Sequence, residues 1–438
     1  MSLEQQLIDA AENGQLDLVK NLVEQGANLH AWGEETLRTS AEYGRLDVVK
    51  YLIEQGADLH VENEETLRLA TDKGHLDVVK YLVEQRANLH AEDEVSLRWA
   101  ANNGHLDIVK YLVEQGADLH VKDEYALRLA GINGHLEVVK YLVEQGANLH
   151  ASNEAALRFS AWKGHLNIVK YLVEQGADLH AEDEWALKWA AKNGHLDIVK
   201  YLVEQGADLH IEDEWALRFA AEYGHLNVVK YLVEQGADIH VRDAASLRQA
   251  AQYDNLNVVK YLVGLGANLH ADNEAALRFS AWKGHLNIVK YLVEQGADLH
   301  AEDEWALRWA TWDDRLDAIK YLIEQGANSQ VILDNNRNYK SNIVNYIFYL
   351  AKIRPIITKI NDQIEYAPIG RFKSFPQGGV KYQENSYRIL WTRIGQEIGN
   401  APPGHLKLLP NGSNGYQETK EWIEKEYPEM DEDPFCCI

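Results

Sequence analysis

The sequence predicts an all-α solenoid: a stack of about eleven helix pairs, followed by a small, mostly helical C-terminal region. The main observation is a period. A segment like that from Gly194 to Ala207 recurs eleven times at intervals of 30 residues, from Gly14 to Ala327. A fixed period of this length indicates stacked supersecondary units that share one core. Such a stack grows by addition, so a chain of 438 residues needs no single large core.

The second observation is a change of composition that marks the end of the array. All eight prolines lie at or after Pro355, and the regular period ends near Asn328. We therefore expect a repeat array over residues 1–331 and a separate cap or domain over residues 332–438. The second region has 13 basic and 13 acidic side chains, so the net charge of −25 belongs almost wholly to the array. An array this acidic repels phosphate, which argues against a nucleic-acid partner.

The first helix of a repeat is predicted from its capping residues and its apolar spacing. Asp183 is placed to cap the N-terminus, and Glu184 in the first turn favours the helix dipole. Gly194 is expected to end the helix. The i, i+3, i+4 spacing predicts a buried stripe formed by Leu187, Ala190 and Ala191.

The second helix of the repeat is predicted to run from about Leu196 to Gln205. Gly206 supplies the left-handed residue that stops it. The side chains expected in the core are Leu196, Val199, Leu202 and Val203.

These segments resemble the ankyrin repeat, whose unit ends in Gly-His-Leu-x-Val-Val-x-x-Leu-Leu-x-x-Gly-Ala-Asp. The resemblance covers about three quarters of the chain, and it implies a protein-binding scaffold or adaptor that uses its concave face. The period is 30 residues here instead of 33. The usual Thr-Pro-Leu-His start is replaced by Trp185-Ala186-Leu187-Lys188. We expect a plain loop near residues 180–183 instead of a β-hairpin. The variant is most similar to ankyrin arrays of giant viruses that infect amoebae.

Aromatic and basic residues gather on one side of the first helices. With Gly194 numbered as position 14 of its repeat, positions 5, 8, 9 and 12 lie opposite the apolar stripe. Position 8 is basic in all ten full repeats, from Arg38 to Arg308. Interfaces between proteins are enriched in Trp, Tyr and Arg. The predicted partner-binding residues are Trp99, Trp185, Trp189, Trp215, Phe219, Trp305, Trp309 and Trp312.

A structural role for the same residues is an open alternative. The aromatic rings could cover the gap left by the missing hairpin, with each arginine stacked on a neighbouring ring. The near invariance of position 8 favours such a ladder for the basic residues, because recognition positions tend to vary between repeats. The aromatic residues do vary, and they concentrate near residues 185–219 and 305–312. We therefore interpret the basic residues as structural and these aromatic residues as a partner surface.

Seventeen of the eighteen histidines occupy two positions of the repeat, in Gly-His and Leu-His pairs such as His75 and His60. Helices of neighbouring repeats lie about 8–10 Å apart, whereas the ligands of one zinc ion lie about 2 Å from it. We therefore expect histidines that brace turns by bonding to the backbone. No metal site and no cofactor are predicted.

The C-terminal region is predicted to contain three helices and no recognisable catalytic motif. Residues 342–353 form an amphipathic pattern that could cap the last repeat. Further helices are expected at residues 384–398 and 416–427. His405 has no evident catalytic partner, so we expect a protein that is not an enzyme. A small catalytic domain that the array delivers to its substrate is the alternative.

The chain has only two cysteines, Cys436 and Cys437, which provide no disulfide framework. The beginning of the chain shows no secretory pattern. We expect a monomer in the cytoplasm, including that of a host cell. The ending Cys-Cys-Ile resembles the geranylgeranylated ends of Rab-type GTPases, and two such chains would tether the adaptor to a membrane. The preceding Asp431–Asp433 run disfavours an anionic membrane, so unmodified thiols are the preferred interpretation.

Overall fold

The computed structural model describes residues 2–334, together with Tyr339, Val344 and Ile347. These residues form 23 helices and, within the described ranges, no strand. The contacts divide the chain into two compact units, Met1–Asp238 and Ile239–Ile438. The predicted all-α architecture of repeated helix pairs is confirmed. The predicted boundary at residues 331/332 remains a prediction.

The first unit contains sixteen helices, which alternate between the first and the second helix of a repeat. Their bounds are α1 Leu3–Glu12, α2 Leu16–Glu24, α3 Glu35–Glu42, α4 Leu46–Glu54, α5 Val61–Lys73, α6 Leu76–Glu84, α7 Ala91–Asn103, α8 Leu106–Glu114, α9 Val121–Asn133, α10 Leu136–Glu144, α11 Ala151–Lys163, α12 Leu166–Glu174, α13 Ala181–Lys192, α14 Leu196–Glu204, α15 Ile211–Glu222 and α16 Leu226–Glu234.

The second unit continues the same alternation within its described part. Its helices are α17 Val241–Gln252, α18 Leu256–Gly264, α19 Ala271–Lys283, α20 Leu286–Glu294, α21 Ala301–Trp312, α22 Leu316–Glu324 and α23 Gln330–Asp334. Val344 and Ile347 are helical and fully buried, and the other residues of the helix predicted over residues 342–353 lie outside the described residues. The remaining C-terminal predictions, including both further helices, His405, Cys436 and Cys437, lie outside the described residues.

Within each unit, every first helix packs against its own second helix and against the first helices of adjacent repeats. The predicted stripe of Leu187, Ala190 and Ala191 is fully buried at this junction. Alanine has a small side chain, so the first helices approach closely. The core of each stack therefore lies between the first helices and the second helices that pack on them.

The second helix α14 begins at Leu196, as predicted, and ends at Glu204. Val199 and Leu202 are buried, but Leu196 and Val203 are only half-buried, and Ile198 takes a core position instead. The predicted core of this helix is thus partly wrong, because its buried stripe is rotated by about one residue.

The N-terminal end of the first helix differs from the prediction. Glu182, Asp183 and Glu184 all have a left-handed backbone, with φ of 54°, 53° and 61°. Asp183 is therefore not an N-cap, because capping requires an extended backbone at that residue. Similar left-handed triplets open the first helix of the other full repeats. They occupy the place where a plain loop was expected. Left-handed residues other than glycine cost about 1–2 kcal/mol each, so tertiary contacts must hold the triplet.

Candidate partner-binding surface

The basic side chain at position 8 of the first helix holds the left-handed triplet in place. Its guanidinium donates a hydrogen bond to the backbone carbonyl at position 2 of the same repeat, where the triplet begins. The bond is 2.9 Å from Arg158 to Ser152 and 2.6 Å from Arg278 to Asp272. The same bond, between 2.6 and 3.5 Å, is made by Arg38, Arg68, Arg98, Arg128 and Arg218. This contact explains why the position is nearly invariant.

The same cations also connect neighbouring repeats within a unit. Lys188 donates to the Glu212 carboxylate at 2.7 Å, and Arg248 donates to Asp272 at 3.2 Å. Where position 5 of the next repeat is aromatic, the cation lies over that ring, as Lys188 lies 4.3 Å from the centroid of Trp215. The predicted stacking is therefore seen at Arg98, Arg158, Lys188 and Arg278, and the bond to the backbone carbonyl is the more general contact of position 8.

Six rings from three consecutive repeats form a cluster in the first unit. We call this set the first aromatic cluster; it consists of Phe159, Trp162, Trp185, Trp189, Trp215 and Phe219. Trp185 stacks on Trp189 with centroids 5.0 Å apart, and the edge of Trp162 meets Trp189 at 6.3 Å. The ring centroid of Phe219 lies 6.5 Å from that of Trp189 and 5.2 Å from that of Trp215, so Phe219 connects the two tryptophans. Aromatic pairs of this geometry stabilise by about 0.5–1.5 kcal/mol beyond their burial.

Lysines and an arginine lie over the rings of this cluster. The ammonium groups of Lys163 and Lys192 lie 4.1 Å from the centroids of Trp162 and Trp189. The guanidinium of Arg158 lies 5.2 Å from Trp185. These distances are within the range of cation–π attraction. The surface thus combines apolar area with positive charge on a chain whose net charge is −25.

A second aromatic cluster, consisting of Phe279, Trp282, Trp305 and Trp309, has the same organisation in the second unit. Trp305 stacks on Trp309 at 5.8 Å, and Trp282 meets Trp309 edge-on at 5.6 Å. Arg278 lies 4.7 Å from Trp305. The ammonium group of Lys283 lies 3.8 Å from Trp282.

The predicted site residues differ in how much surface they present. Trp312 is 70 % exposed, and Trp99 and Trp305 are also exposed. Trp185, Trp189, Trp215, Phe219 and Trp309 are half-buried. Lys188 and Arg278 are buried, which a helical wheel does not show because it omits the neighbouring repeats. Six of the eight predicted residues belong to a cluster, four in the first unit and two in the second, and Trp99 and Trp312 lie outside both clusters.

The clusters also contain residues that were not among the predicted contacts. Phe159, Trp162, Phe279 and Trp282 each meet at least one of the predicted tryptophans. They occupy positions 9 and 12 of the repeat, on the same side of the first helix as the predicted residues. The helical periodicity of the sequence was therefore sufficient to identify them.

The Gly-His histidines connect one repeat to the one before it. Nε2 of His195 lies 3.0 Å from the carbonyl oxygen of Trp162, and Nε2 of His105 lies 2.8 Å from that of Asp72. The predicted bond to the backbone is confirmed for these residues. The two repeats pack closely at this contact, because a Cβ added to Gly74 would lie 2.7 Å from the His105 ring.

The Leu-His histidines bond instead to a buried glutamate at position 4 of the following first helix. Nδ1 of His180 lies 2.5 Å from Oε1 of Glu184, a residue that is only 2 % exposed. The backbone N–H of Asp208 in the next repeat donates to the same oxygen at 3.0 Å. Glu184 thus joins the left-handed triplet, the preceding loop and the next repeat. The hydrogen bond to the glutamate raises the pKa of His180, and likewise the pKa values of His120, His210 and His300.

Within the described residues, no cluster of three or more His, Cys, Asp or Glu side chains is arranged to hold a metal ion. In the same part of the chain, no helix is long and apolar enough to cross a membrane.

Comparison with known proteins places the repeats in one family. The family model described as ankyrin repeats (3 copies) matches residues 7–93, 97–183, 180–243 and 247–332. No curated protein matches the chain. The matched segments together lie between residues 7 and 332.

Proposed function

The chain belongs to the ankyrin-repeat family, and we propose that it is a scaffold that captures a partner protein on the exposed side of its first helices. Ankyrin repeats generally bind proteins. The proposed contact surface is centred on the two aromatic clusters, and its main contacts are Trp185, Trp189, Trp305 and Trp309. Rigid aromatic area and planar cations give binding energy at low entropic cost.

The observation that carries the proposal is the uneven distribution of the rings. Contacts that hold repeats together recur along the array, as the histidine and arginine bonds do. The aromatic clusters do not recur: position 5 is Glu65 or Ala155 in some repeats and Trp185 or Trp215 in others. A ring needed for stacking would be expected in every repeat. Ring clusters that form in some repeats and not in others support a role in recognition.

The charge around the clusters supports a partner of mixed charge. Cations lie over the rings, while exposed carboxylates such as Glu182 and Asp183 surround them on the left-handed turns. A partner segment with apolar and acidic side chains at its centre and basic ones at its edges would complement this pattern. We propose that the protein acts without a cofactor, as a monomer in the cytoplasm.

Affinity capture with quantitative mass spectrometry tests this function. The bait is the full chain, compared with a Trp185→Ala/Trp189→Ala/Trp305→Ala/Trp309→Ala variant, which removes both stacked pairs, and with a Tyr201→Ala control on a second helix. A partner on the first-helix side should be depleted at least tenfold by the tryptophan variant and retained by the control. Equal capture by all three baits would contradict the proposal.

A further inference from the structure

The two aromatic clusters contain a common site that occurs twice in the chain. Residues 153–187 and 273–307 are identical in sequence and 120 residues apart. The first block lies in the first unit and the second block in the second unit. Each block supplies an arginine, a phenylalanine, two tryptophans and a lysine, and the next first-helix turn adds a third tryptophan, Trp189 or Trp309.

The geometry of the common site is nearly the same in both units. The stacked tryptophan pair has centroids 5.0 Å apart in one and 5.8 Å in the other. In the edge-on contact, the ring centroids lie 6.3 Å apart for Trp162 and Trp189 and 5.6 Å apart for Trp282 and Trp309. The lysine ammonium lies 4.1 or 3.8 Å from its ring centroid. The two sites therefore offer a ligand the same apolar surface and the same cation.

The positive charge in each site is incompletely neutralised. In the part of the chain that the structure describes, neither Lys163 nor Lys283 makes an ion pair. Each arginine bonds to a backbone carbonyl, and Arg278 also lies 3.8 Å from the Asp272 carboxylate, but the Nε of each arginine is buried without a hydrogen-bond partner among the described residues. Burial lowers the pKa of Arg158 and of Arg278, which means that the cation is less well stabilised than in water. An anion bound nearby would compensate both charges.

We propose that the chain is bivalent: each unit binds one copy of a peptide segment that carries a carboxylate next to an aromatic or large aliphatic side chain. The carboxylate pairs with Lys163 or Lys283, and the apolar side chain packs on the stacked tryptophans. This inference rests on the proposed function, because it assigns a partner chemistry and a stoichiometry to the same surface.

The acidic character of the whole chain does not prevent such a contact. At physiological ionic strength, charges more than about 8 Å apart are largely screened. The carboxylates elsewhere in the array are therefore screened, whereas Lys163 or Lys283 lies beside the ligand. A purely basic segment fits less well, because the tryptophan faces that attract cations are already occupied by Arg158 and Lys163, or by Arg278 and Lys283.

A peptide selection followed by calorimetry tests the inference. Random displayed heptapeptides are selected on the full chain, and the most enriched peptide is synthesised and titrated. We expect a carboxylate beside an aromatic or large aliphatic residue, and two peptides bound per chain with similar affinity. Lys163→Glu and Lys283→Glu should each reduce the stoichiometry to one, and the double variant should reduce affinity at least tenfold at both sites. Lys163→Gln and Lys283→Gln repeat the test without charge reversal.

The control is Lys170→Glu, which changes the same charge on a second helix, where the lysine faces Tyr201. It should leave two peptides bound. A stoichiometry of one for the unmodified chain, a selection that yields no acidic peptides, or unchanged binding to the double lysine variant would overturn the inference. If Trp185→Ala/Trp189→Ala loses the peptide bound to the first unit but the lysine variants keep both peptides, the proposed function stands and the inference fails. Two peptides still bound both by the tryptophan variant and by the lysine variants would contradict the two together.

Discussion

The first and second helices of this chain differ in how regularly their exposed contacts recur, although they alternate along the chain. On the second helices, a lysine lies 5.6–5.8 Å from the ring of a tyrosine one repeat later. This pair occurs at Lys20–Tyr51, Lys50–Tyr81, Lys80–Tyr111, Lys110–Tyr141, Lys170–Tyr201, Lys200–Tyr231, Lys260–Tyr291 and Lys290–Tyr321. On the first helices, positions 5, 9 and 12 vary, and rings cluster in two places only.

This difference distinguishes contacts that stabilise the stack from residues that are available for binding a partner. A contact that every repeat must make leaves the same residue in every repeat, as for the Lys–Tyr pairs and the His–Glu pairs. Positions that vary are free from that requirement. We therefore predict that substitutions at repeated contacts lower the free energy of unfolding, whereas substitutions in the aromatic clusters weaken the binding of a partner.

The largest stability effect is expected at the buried glutamate. Glu184→Ala removes the acceptor of both His180 and the Asp208 N–H, and it frees the left-handed triplet. We expect a loss of about 3 kcal/mol in the free energy of unfolding of the first unit. Glu182→Ala, an exposed change in the same triplet, is the matched control and should cost little. Equal urea midpoints for the two variants would show that the buried carboxylate does not hold the stack.

The second-largest effect concerns the repeat at residues 241–270. Asp254 occupies a left-handed position with φ of 63° where most repeats have glycine. Gly264 lies within the second helix α18, at a cost of about 1 kcal/mol relative to alanine. In a one-dimensional stack, a poor unit weakens its interfaces. Hydrogen exchange should therefore show these amides opening before those of residues 271–300. Uniform protection of both repeats would refute this.

A smaller gain is expected from Arg86→Gly. Arg86 has φ of 72° at the end of α6, where other repeats have glycine. A Cβ at the equivalent Gly116 meets no heavy atom within 4 Å. The destabilisation caused by Arg86 therefore comes from its left-handed backbone and not from a steric clash. We expect the change to stabilise the first unit by up to about 1 kcal/mol. A lower thermal midpoint for the variant would instead assign a favourable contact to the arginine.

The smallest effect is a dependence of stability on pH. A raised pKa means that the folded chain binds a proton more tightly than the unfolded chain, so the His–Glu pairs stabilise most below the ordinary histidine pKa of about 6.5. This contribution is lost as the pH rises through the raised pKa values. Thermal midpoints should fall between pH 6 and pH 8, and His180→Gln should reduce the slope. An unchanged slope would show that the pair does not titrate.

The sequence was sufficient for the repeated architecture because its signals are local. Gly194, the alanine pair at Ala190 and Ala191, and the period itself all act within one repeat. The left-handed triplet was missed because Glu182-Asp183-Glu184 has the composition of an N-cap and an acidic first turn. What decides its conformation lies outside the triplet: His180 before it, the backbone of Asp208 in the next repeat and, in most other repeats, an arginine at position 8.

The candidate surface was predicted only in part for a similar reason. A helical wheel places Trp185 and Trp189 on the free side of their helix, and it correctly finds rings on that side. The wheel contains no neighbouring repeat, however, so it cannot show that Arg158 covers Trp185 or that Trp162 packs on Trp189. Half-burial of the rings follows from the stack and not from any single helix.

One paired measurement tests the central claim that the clusters serve binding and the repeated contacts serve stability. A partner or peptide that binds the full chain is titrated against Trp185→Ala/Trp189→Ala and against Lys170→Ala/Tyr201→Ala, and the urea unfolding of each variant is followed in parallel. The tryptophan variant should lose about 2 kcal/mol or more of binding free energy at the site of the first unit while the chain remains folded. The lysine–tyrosine variant should unfold at lower urea and bind normally while folded. A tryptophan variant that unfolds early yet binds with unchanged affinity would contradict the account.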